Sequence, residues 1–446
     1  MTGERRVVIT GLGVVSPMGI GREALWDGLI TGRSVIGPVQ AFDASNLQSC
    51  LGGEVAPFKI SQFVPKSLRK NAKVMARDIE LAVVAAYEAV KDAGLKTRCL
   101  IDRGEVEGPP NVDPTRFGAN IGAGLICTDL DELACAFSTA VDENGDFSLA
   151  KWGRGGMENL TPLWLLRSLP NMLACHVTIV QNAQAPSNTL TCGEASSHLA
   201  IGEAFRSIAR GVADVCICGG AESKINPMAM VRAALLGRVD VGSDEKPESA
   251  CRPFAADRAG TVCSEGGGLV TLEDLDHARQ RGARIYAELV GFGASANTHS
   301  WSEPDPDGRG IARAIRSALS DAGVGASDID LIVTFGTGVA DQDASEAAAF
   351  ADVFGPRLES IPAIATKGSL GTNGAGSGAL DFAVGVMSMV QSTVVPSRNT
   401  EHAERRFGFR FVQGDPVDAR IGHLLTVGYT LGGGQNAAIV VRRVEE

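Results

Sequence analysis

Residues 189–198 read TLTCGEASSH and gather a thiol, a carboxylate and an imidazole: Cys192, Glu194 and His198. A side chain at the mouth of a buried helix meets the positive end of the helix dipole. There a thiol pKa falls, and backbone N–H groups are free to donate to an oxyanion. That is acyl-transfer chemistry if the residue is a cysteine. Cys192 and Glu194 both precede the helix that runs through Ile201-Gly202-Glu203-Ala204, with Cys192 read as still on the incoming strand. An acid in a first helical turn also has a plain structural reading, since it complements the dipole by ~0.3–1 kcal/mol.

The other titratable groups form no second centre. His198 falls inside the helix and reads as a packing residue. His176, in LACHVTI, reads as a structural histidine ahead of an apolar strand, and His299, in SANTHSW, as a loop residue near a substrate mouth. His277, His402 and His423 show no partner pattern. The ten cysteines have no metal-ligand spacing, and Cys216 and Cys218 belong to the apolar strand VADVCICGGAE. GLGVVSPMG and GGGQN lack the Lys-Ser/Thr ending of a phosphate loop and the dinucleotide-binding spacing. No metal or cofactor is expected.

The elements that must position this segment repeat. MARDIELAVVAAYEAVKDAGL puts Met75, Ile79, Val83, Ala86 and Val90 on one helical face and stops at Gly94. GIARAIRSALSDAGV does the same with Ile311, Ile315, Ala318 and Leu319, stopping at Gly323. Each is followed by a loop, a strand and Gly-x-Gly, and Asp92-Ala93-Gly94 recurs as Asp321-Ala322-Gly323. This predicts a duplicated α/β unit with halves at 1–275 and 276–446. Val7–Thr10 reads as a strand, 96–115 as a surface loop, and LEDLDHARQRGARIYAELVGFG as a short helix feeding the first strand of the second half.

The chain has 446 residues and a net charge of -11, so nothing suggests a nucleic-acid partner. An acidic protein partner requires a local basic patch. No apolar run reaches the ~18 residues of a membrane span, and the unpaired cysteine pattern fits a reducing cytoplasm.

RRVVITGLGVVSPMG, LPNMLACHVTI, GVADVCICGGAES, RPFAADRAGTVCSEGGGLVTLE, RIYAELVGFGAS, TKGSLGTNGAGSGALD and LGGGQNAAIVV follow one another in order. Together they resemble the β-ketoacyl-acyl-carrier-protein synthases of the thiolase superfamily, over nearly the whole chain. The resemblance implies a duplicated five-layered αβαβα fold that dimerises through central strands. It also implies a cysteine nucleophile and two histidines. Matching Ile201-Gly202-Glu203-Ala204 to the family's helix puts Glu194 at the nucleophile position, and using Cys192 instead requires a two-residue shift that the pattern after Gly202 does not call for. Phe335, before Gly336-Thr337, stands for the first histidine, and Thr372, after Lys367 and Gly371, for the second. Gly432, ahead of Gly433 and Gly434, replaces a gating phenylalanine. Lys367 and Glu265 remain as supports of the site's hydrogen-bond network.

Family members without the cysteine are chain-length factors. The resemblance therefore implies a non-condensing subunit that pairs with a paralogous cysteine-bearing synthase and an acyl carrier protein. Such a subunit shapes a product tunnel, for which Leu130, Leu133 and Phe137 share a helical face in GLICTDLDELACAF. Two other readings stand beside it: an acyltransferase or malonyl decarboxylase using Glu194, and an acyl-binding homodimer.

Overall fold

The computed structural model describes residues 5–240 and 246–445. Its long strands are β1 (Val7–Ser16), β2 (Phe117–Ala123), β3 (Ser187–Leu190), β4 (Val215–Ser223), β5 (Cys263–Asp274) and β6 (Ala287–Ala296). β7 (Leu331–Val333), β8 (Pro362–Ile364), β9 (Arg410–Phe411), β10 (His423–Tyr429) and β11 (Gln435–Arg442) complete the path. Every residue of β1, β2, β4 and β5 is buried, as expected of apolar runs covered on both faces.

The hydrogen-bonded order is β9-β8-β7-β10-β11-β6-β1-β5-β4-β2-β3. β1 and β6 meet only through Val7, Val8 and Ile9, which makes this the seam between two sheets of one design. In the first, β5 runs antiparallel to β1 and to β4, and β2 and β3 follow in parallel. In the second, β11 runs antiparallel to β6 and to β10, and β7 and β8 follow in parallel.

Helices complete five layers. α1 (Arg77–Asp92) covers β1, β4 and β5 on one outside, and α5 (Arg309–Ala322) covers β6 and β11 on the other. Between the sheets lie α4 (Ser196–Ala209) and α7 (Ser377–Gln391). α7 is buried on nearly all sides because SGALDFAVGVMSMVQ is apolar all round rather than on one stripe. The remaining helices used below are α2 (Leu130–Ser138), α3 (Met172–Gln181) and α6 (Ala340–Phe354).

The Asp-Ala-Gly repeat has a structural job that is the same in both halves. The Leu12 amide donates to Asp92 Oδ2 at 2.8 Å, and the Phe292 amide donates to Asp321 Oδ2 at 2.9 Å. Each strand bulges beside this bond, at Ile9/Gly11 and opposite Val440/Val441. Each also lets a helix approach at glycine: a Cβ on Gly13 would lie 2.0 Å from the Ala85 carbonyl oxygen, and one on Gly293 2.1 Å from that of Ala314.

Three local expectations change. β1 extends to Ser16, six residues past Thr10, because β5 pairs with it along its length. The 96–115 segment contains a short helix, Arg98–Asp102, that buries Cys99 and Leu100. His176 lies within α3 rather than ahead of a strand, since Leu173, Ala174, Val177 and Val180 give HVTI a helical apolar face. Among the described residues no helix is long and apolar enough to cross a membrane.

Candidate functional site

β3 ends at Leu190, so Cys192 stands just past the strand rather than on it. Gly193, at φ +56°, turns the chain into the single 3-10 turn Gly193–Ala195 that opens α4. Glu194 is only 5% exposed, and its Oε2 accepts from the Leu431 amide at 3.1 Å. Thr430 Oγ1 donates to the Cys192 carbonyl at 2.7 Å, and the Arg238 guanidinium donates to the Leu431 carbonyl. The glycine-rich turn is thereby stitched to the mouth of α4. Gly432 has φ +99°, and a Cβ on Gly433 would lie 1.8 Å from the Ser300 carbonyl oxygen, so the loop bearing His299 closes against these two residues. Burial pushes the Cys192 thiol up, away from the thiolate a nucleophile needs.

Lys224 and Glu222, at the end of β4, form a pair of their own. Lys224 Nζ lies 2.8 Å from Glu222 Oε1, and the Ala375 amide donates to Glu222 Oε2 at 2.7 Å. Burial works against the Lys224 ammonium, but Glu222 and then Glu194 outweigh it and raise its pKa. Asp78 accepts from the Ser223 amide at 3.1 Å; burial first, and Glu222 second, push its carboxyl up to about 7. The sequence reading missed this group. Its signal was available: Glu222 and Lys224 are charges at the end of an otherwise apolar strand, one inside it and one just past it.

Phe335 and Thr372, which the resemblance matches to the family's histidines, cannot move a proton near neutrality. The Phe335 ring packs edge-on to Tyr429 at 5.1 Å between centroids, and Lys367 Nζ stands 4.2 Å from its centroid. Lys367 is buried and ion-paired with Asp381. Thr372 is buried with its Oγ1 2.6 Å from Thr261 Oγ1, and its amide donates to the Val262 carbonyl at 2.8 Å. His198, inside α4, places Nε2 3.0 Å from Thr426 Oγ1; burial, reinforced by Lys367, pushes it down to about 3. It is a neutral core imidazole.

Glu265 is the hub of a separate cluster. It accepts from Arg77 at 2.7 and 3.0 Å, from Ser223 Oγ at 2.9 Å and from the Val55 amide at 3.1 Å. Leu130, Leu133 and Phe137 do lie on one helix, α2, but their surroundings diverge. Leu130 lines a groove of about 510 Å³ with Phe42, Arg77, Ile225 and Met228. Phe137 instead packs at a tilt against Phe147 and Trp152, at 5.6 and 5.1 Å between centroids. Leu133 is half-buried. Among the described residues no group of three or more His, Cys, Asp or Glu side chains is placed to hold a metal ion.

A duplicated αβαβα body with its reactive position at the mouth of a central helix defines the thiolase-like class. Within it, residues 4–278 match the N-terminal domain of β-ketoacyl synthases and residues 286–401 the C-terminal domain. The chain belongs to the β-ketoacyl synthase family. It is 33% identical, over 92% of either chain, to 3-oxoacyl-acyl-carrier-protein synthase 2 of Synechocystis. Among solved structures it resembles the ishigamide ketosynthase/chain length factor, at TM-score 0.83 and 28% identity over 99% of this chain and 100% of that one. It also resembles a type II polyketide ketosynthase solved with its acyl-carrier protein and bound to a hexaketide, at TM-score 0.84 and 25% identity over the same shares.

Proposed function

We propose that this chain acts in fatty-acid or polyketide elongation as a non-condensing, chain-length-factor-like subunit paired with a cysteine-bearing synthase. The observation that carries this reading is the buried Glu194 carboxylate, bonded to the Leu431 amide where a nucleophile would stand. A carboxylate attacks a thioester poorly, and the product would be a mixed anhydride open to hydrolysis. The backbone donor that could serve an oxyanion is already committed to an anion. General acid–base groups contribute ~10²–10⁴-fold each, and Phe335 and Thr372 supply none of it.

Two surfaces support the partners. Large exposed apolar side chains concentrate between residues 125 and 179, with Leu149 at 75% and Leu163 at 64%, and β3 pairs on one side only, with β2. An open strand edge beside an apolar patch favours a second chain of the same architecture. Lys59, Lys66, Arg69, Lys70 and Lys73 are all exposed, and residues 56–76 contain no acid. That local patch suits an acidic carrier on an otherwise acidic protein. Leu130, Leu133 and Phe137 would line the product tunnel from this chain's side. We also take 1–275 and 276–446 as its two halves.

The test is reconstitution. Alone, the chain should neither condense nor decarboxylate malonyl-carrier; co-expressed with a cysteine-bearing synthase, it should copurify and restore elongation. Malonyl decarboxylation by the chain alone, abolished in Glu194→Ala, would replace this reading with an enzyme. Copies that pair only with one another would replace it with an acyl-binding homodimer.

A further inference from the structure

On a chain of net charge -11, a cavity with excess positive charge stands apart from the rest of the surface. One cavity of about 390 Å³ is lined by Arg6, Arg279, Arg420, Arg442 and Arg443 against two acids, Glu288 and Glu445. The guanidiniums come from separate elements: the approach to β1, the short helix Leu275–Gln280, the approach to β10 and the end of β11. Glu288, buried in β6, is already shared. Arg6 donates to both its oxygens at 2.7 Å, and Arg442 donates to Oε2 at 2.7 Å. Glu445 meets Arg420 at 3.6 Å. Arg443 gives its donors to neutral groups, the Ile421 and Met389 carbonyls and Ser392 Oγ. Arg279 has no side-chain partner among the described residues. The groove of about 730 Å³ along α5 shows the ordinary arrangement. It also carries four arginines, but Arg206 is matched by Asp321 at 2.8 Å, Arg309 by Asp305 at 3.0 Å and Arg316 by Asp352 at 2.9 Å.

We propose that this cavity binds the pyrophosphate group of a small molecule, held chiefly by Arg279 and Arg443. A guanidinium presents its donors as a planar fork that matches phosphate oxygens two at a time. One phosphoryl group brings about -1.5 to -2 charges, so an excess of three positive charges calls for two such groups side by side. A neighbouring hollow of about 860 Å³ shares Arg420, Arg443, Val444 and Glu445 with the cavity and adds Ile285 and Val390. It gives an organic group carried by the phosphates an apolar wall to lie on. The cavity is remote from the mouth of α4. β10 and β11 pair from His423↔Arg442 to Tyr429↔Asn436, which separates it from the glycine-rich turn by ~20 Å of strand. The ligand is therefore taken up whatever occupies the Glu194 site.

Isothermal titration of the purified chain with inorganic pyrophosphate, in metal-free buffer, tests the site. One pyrophosphate should bind per chain, more weakly as salt is raised. Arg279→Met should weaken binding about tenfold, the share of one charge-assisted hydrogen bond. It breaks no side-chain bond among the described residues, so the variant should fold even where Arg443→Met does not. Arg443→Met should weaken binding at least as much. Arg279→Lys, which keeps the charge and loses the fork, should cost less than Arg279→Met. Arg313→Met, in the groove along α5, should leave the affinity unchanged. ADP in place of pyrophosphate tells the free anion from an ester. Equal or weaker binding of ADP assigns the cavity to pyrophosphate itself, and tighter binding assigns it to a nucleoside diphosphate that reaches the hollow at Ile285 and Val390. An absence of saturable binding, unchanged affinity in Arg279→Met, or the same loss in Arg313→Met would overturn the site. The reconstitution assay is read separately, since neither the mouth of α4 nor a partner subunit takes part.

Discussion

The entrances of α4 and α7 are built to one pattern. Gly193 at φ +56° and Gly374 at φ +61° each open a single 3-10 turn. The Cys192 amide donates to Ser196 Oγ at 2.8 Å, and the Asn373 amide to Ser377 Oγ at 2.9 Å. The two entrances differ at the middle residue. In α7 it is Ala375, whose amide is served by a carboxylate brought from β4, Glu222. In α4 it is Glu194, and its carboxylate makes no cap on its own helix but reaches out to Leu431. The contrast separates two explanations that the sequence left open. If Glu194 were there only to complement a dipole, the α7 entrance shows that a borrowed acid suffices. An acid that bypasses its helix to hold a remote turn is doing something else.

The equivalence of the halves can be broken most severely at the helix–strand approaches. Gly13→Ala and Gly293→Ala each force a methyl onto a helix carbonyl oxygen. Each should cost more than ~3 kcal/mol in urea denaturation, and the two losses should match within ~1 kcal/mol. A tolerated substitution on one side alone would mean that the two approaches are not equivalent, whatever their topology.

A smaller loss is expected at Glu346 on α6, which holds the backbone at Phe335 and Gly336. It accepts from the Phe335 amide at 2.7 Å, the Gly336 amide at 2.9 Å and Tyr429 Oη at 2.9 Å. Glu346→Gln keeps one acceptor and turns an NH2 group toward a donor. About 2–3 kcal/mol of stability should be lost, with a change in the near-ultraviolet signal of Tyr429 beside Phe335.

Periodicity and the Asp-Ala-Gly repeat made the duplication legible, because each helix ends on an aspartate that accepts from a strand amide and on the glycine that stops it, two marks only two residues apart. Glu194 was legible as the odd residue at a helix mouth. Its partners were not. Leu431 is 237 positions away along the chain, and no local pattern links an amide after β10 to an acid before α4. Lys224 belongs to no motif in the sequence, and it is the fold that brings it beside Gly374. Helical spacing places Phe137 on a face with Leu130 and Leu133, but it does not disclose Phe147 and Trp152, which arrive from the next loop and helix and pack against its ring. His176 was misplaced for a related reason: HVTI is β-branched enough to read as strand, and only the packing of α3 decides for helix.

The gentlest test compares Glu346 with Asp78, two fully buried acids whose carboxyls burial raises to about 7 in each case. Glu346 answers three donors, whereas Asp78 accepts from the Ser223 amide and faces the like charge of Glu222. The direction of the pH effect follows from proton binding. An unfolded aspartate releases its proton near 3.8, while the folded one keeps it to about 7. Between those values the folded state binds more protons, so this group's contribution to stability declines as pH rises through the window and is flat above it. Asp78→Asn retains an acceptor for the Ser223 amide and cannot ionise. It should therefore be about 1–2 kcal/mol more stable than the parent at pH 8, with little difference at pH 4. Unfolding curves at the two pH values measure this directly. An Asn variant that is weaker at both would mean that Asp78 is needed as an anion.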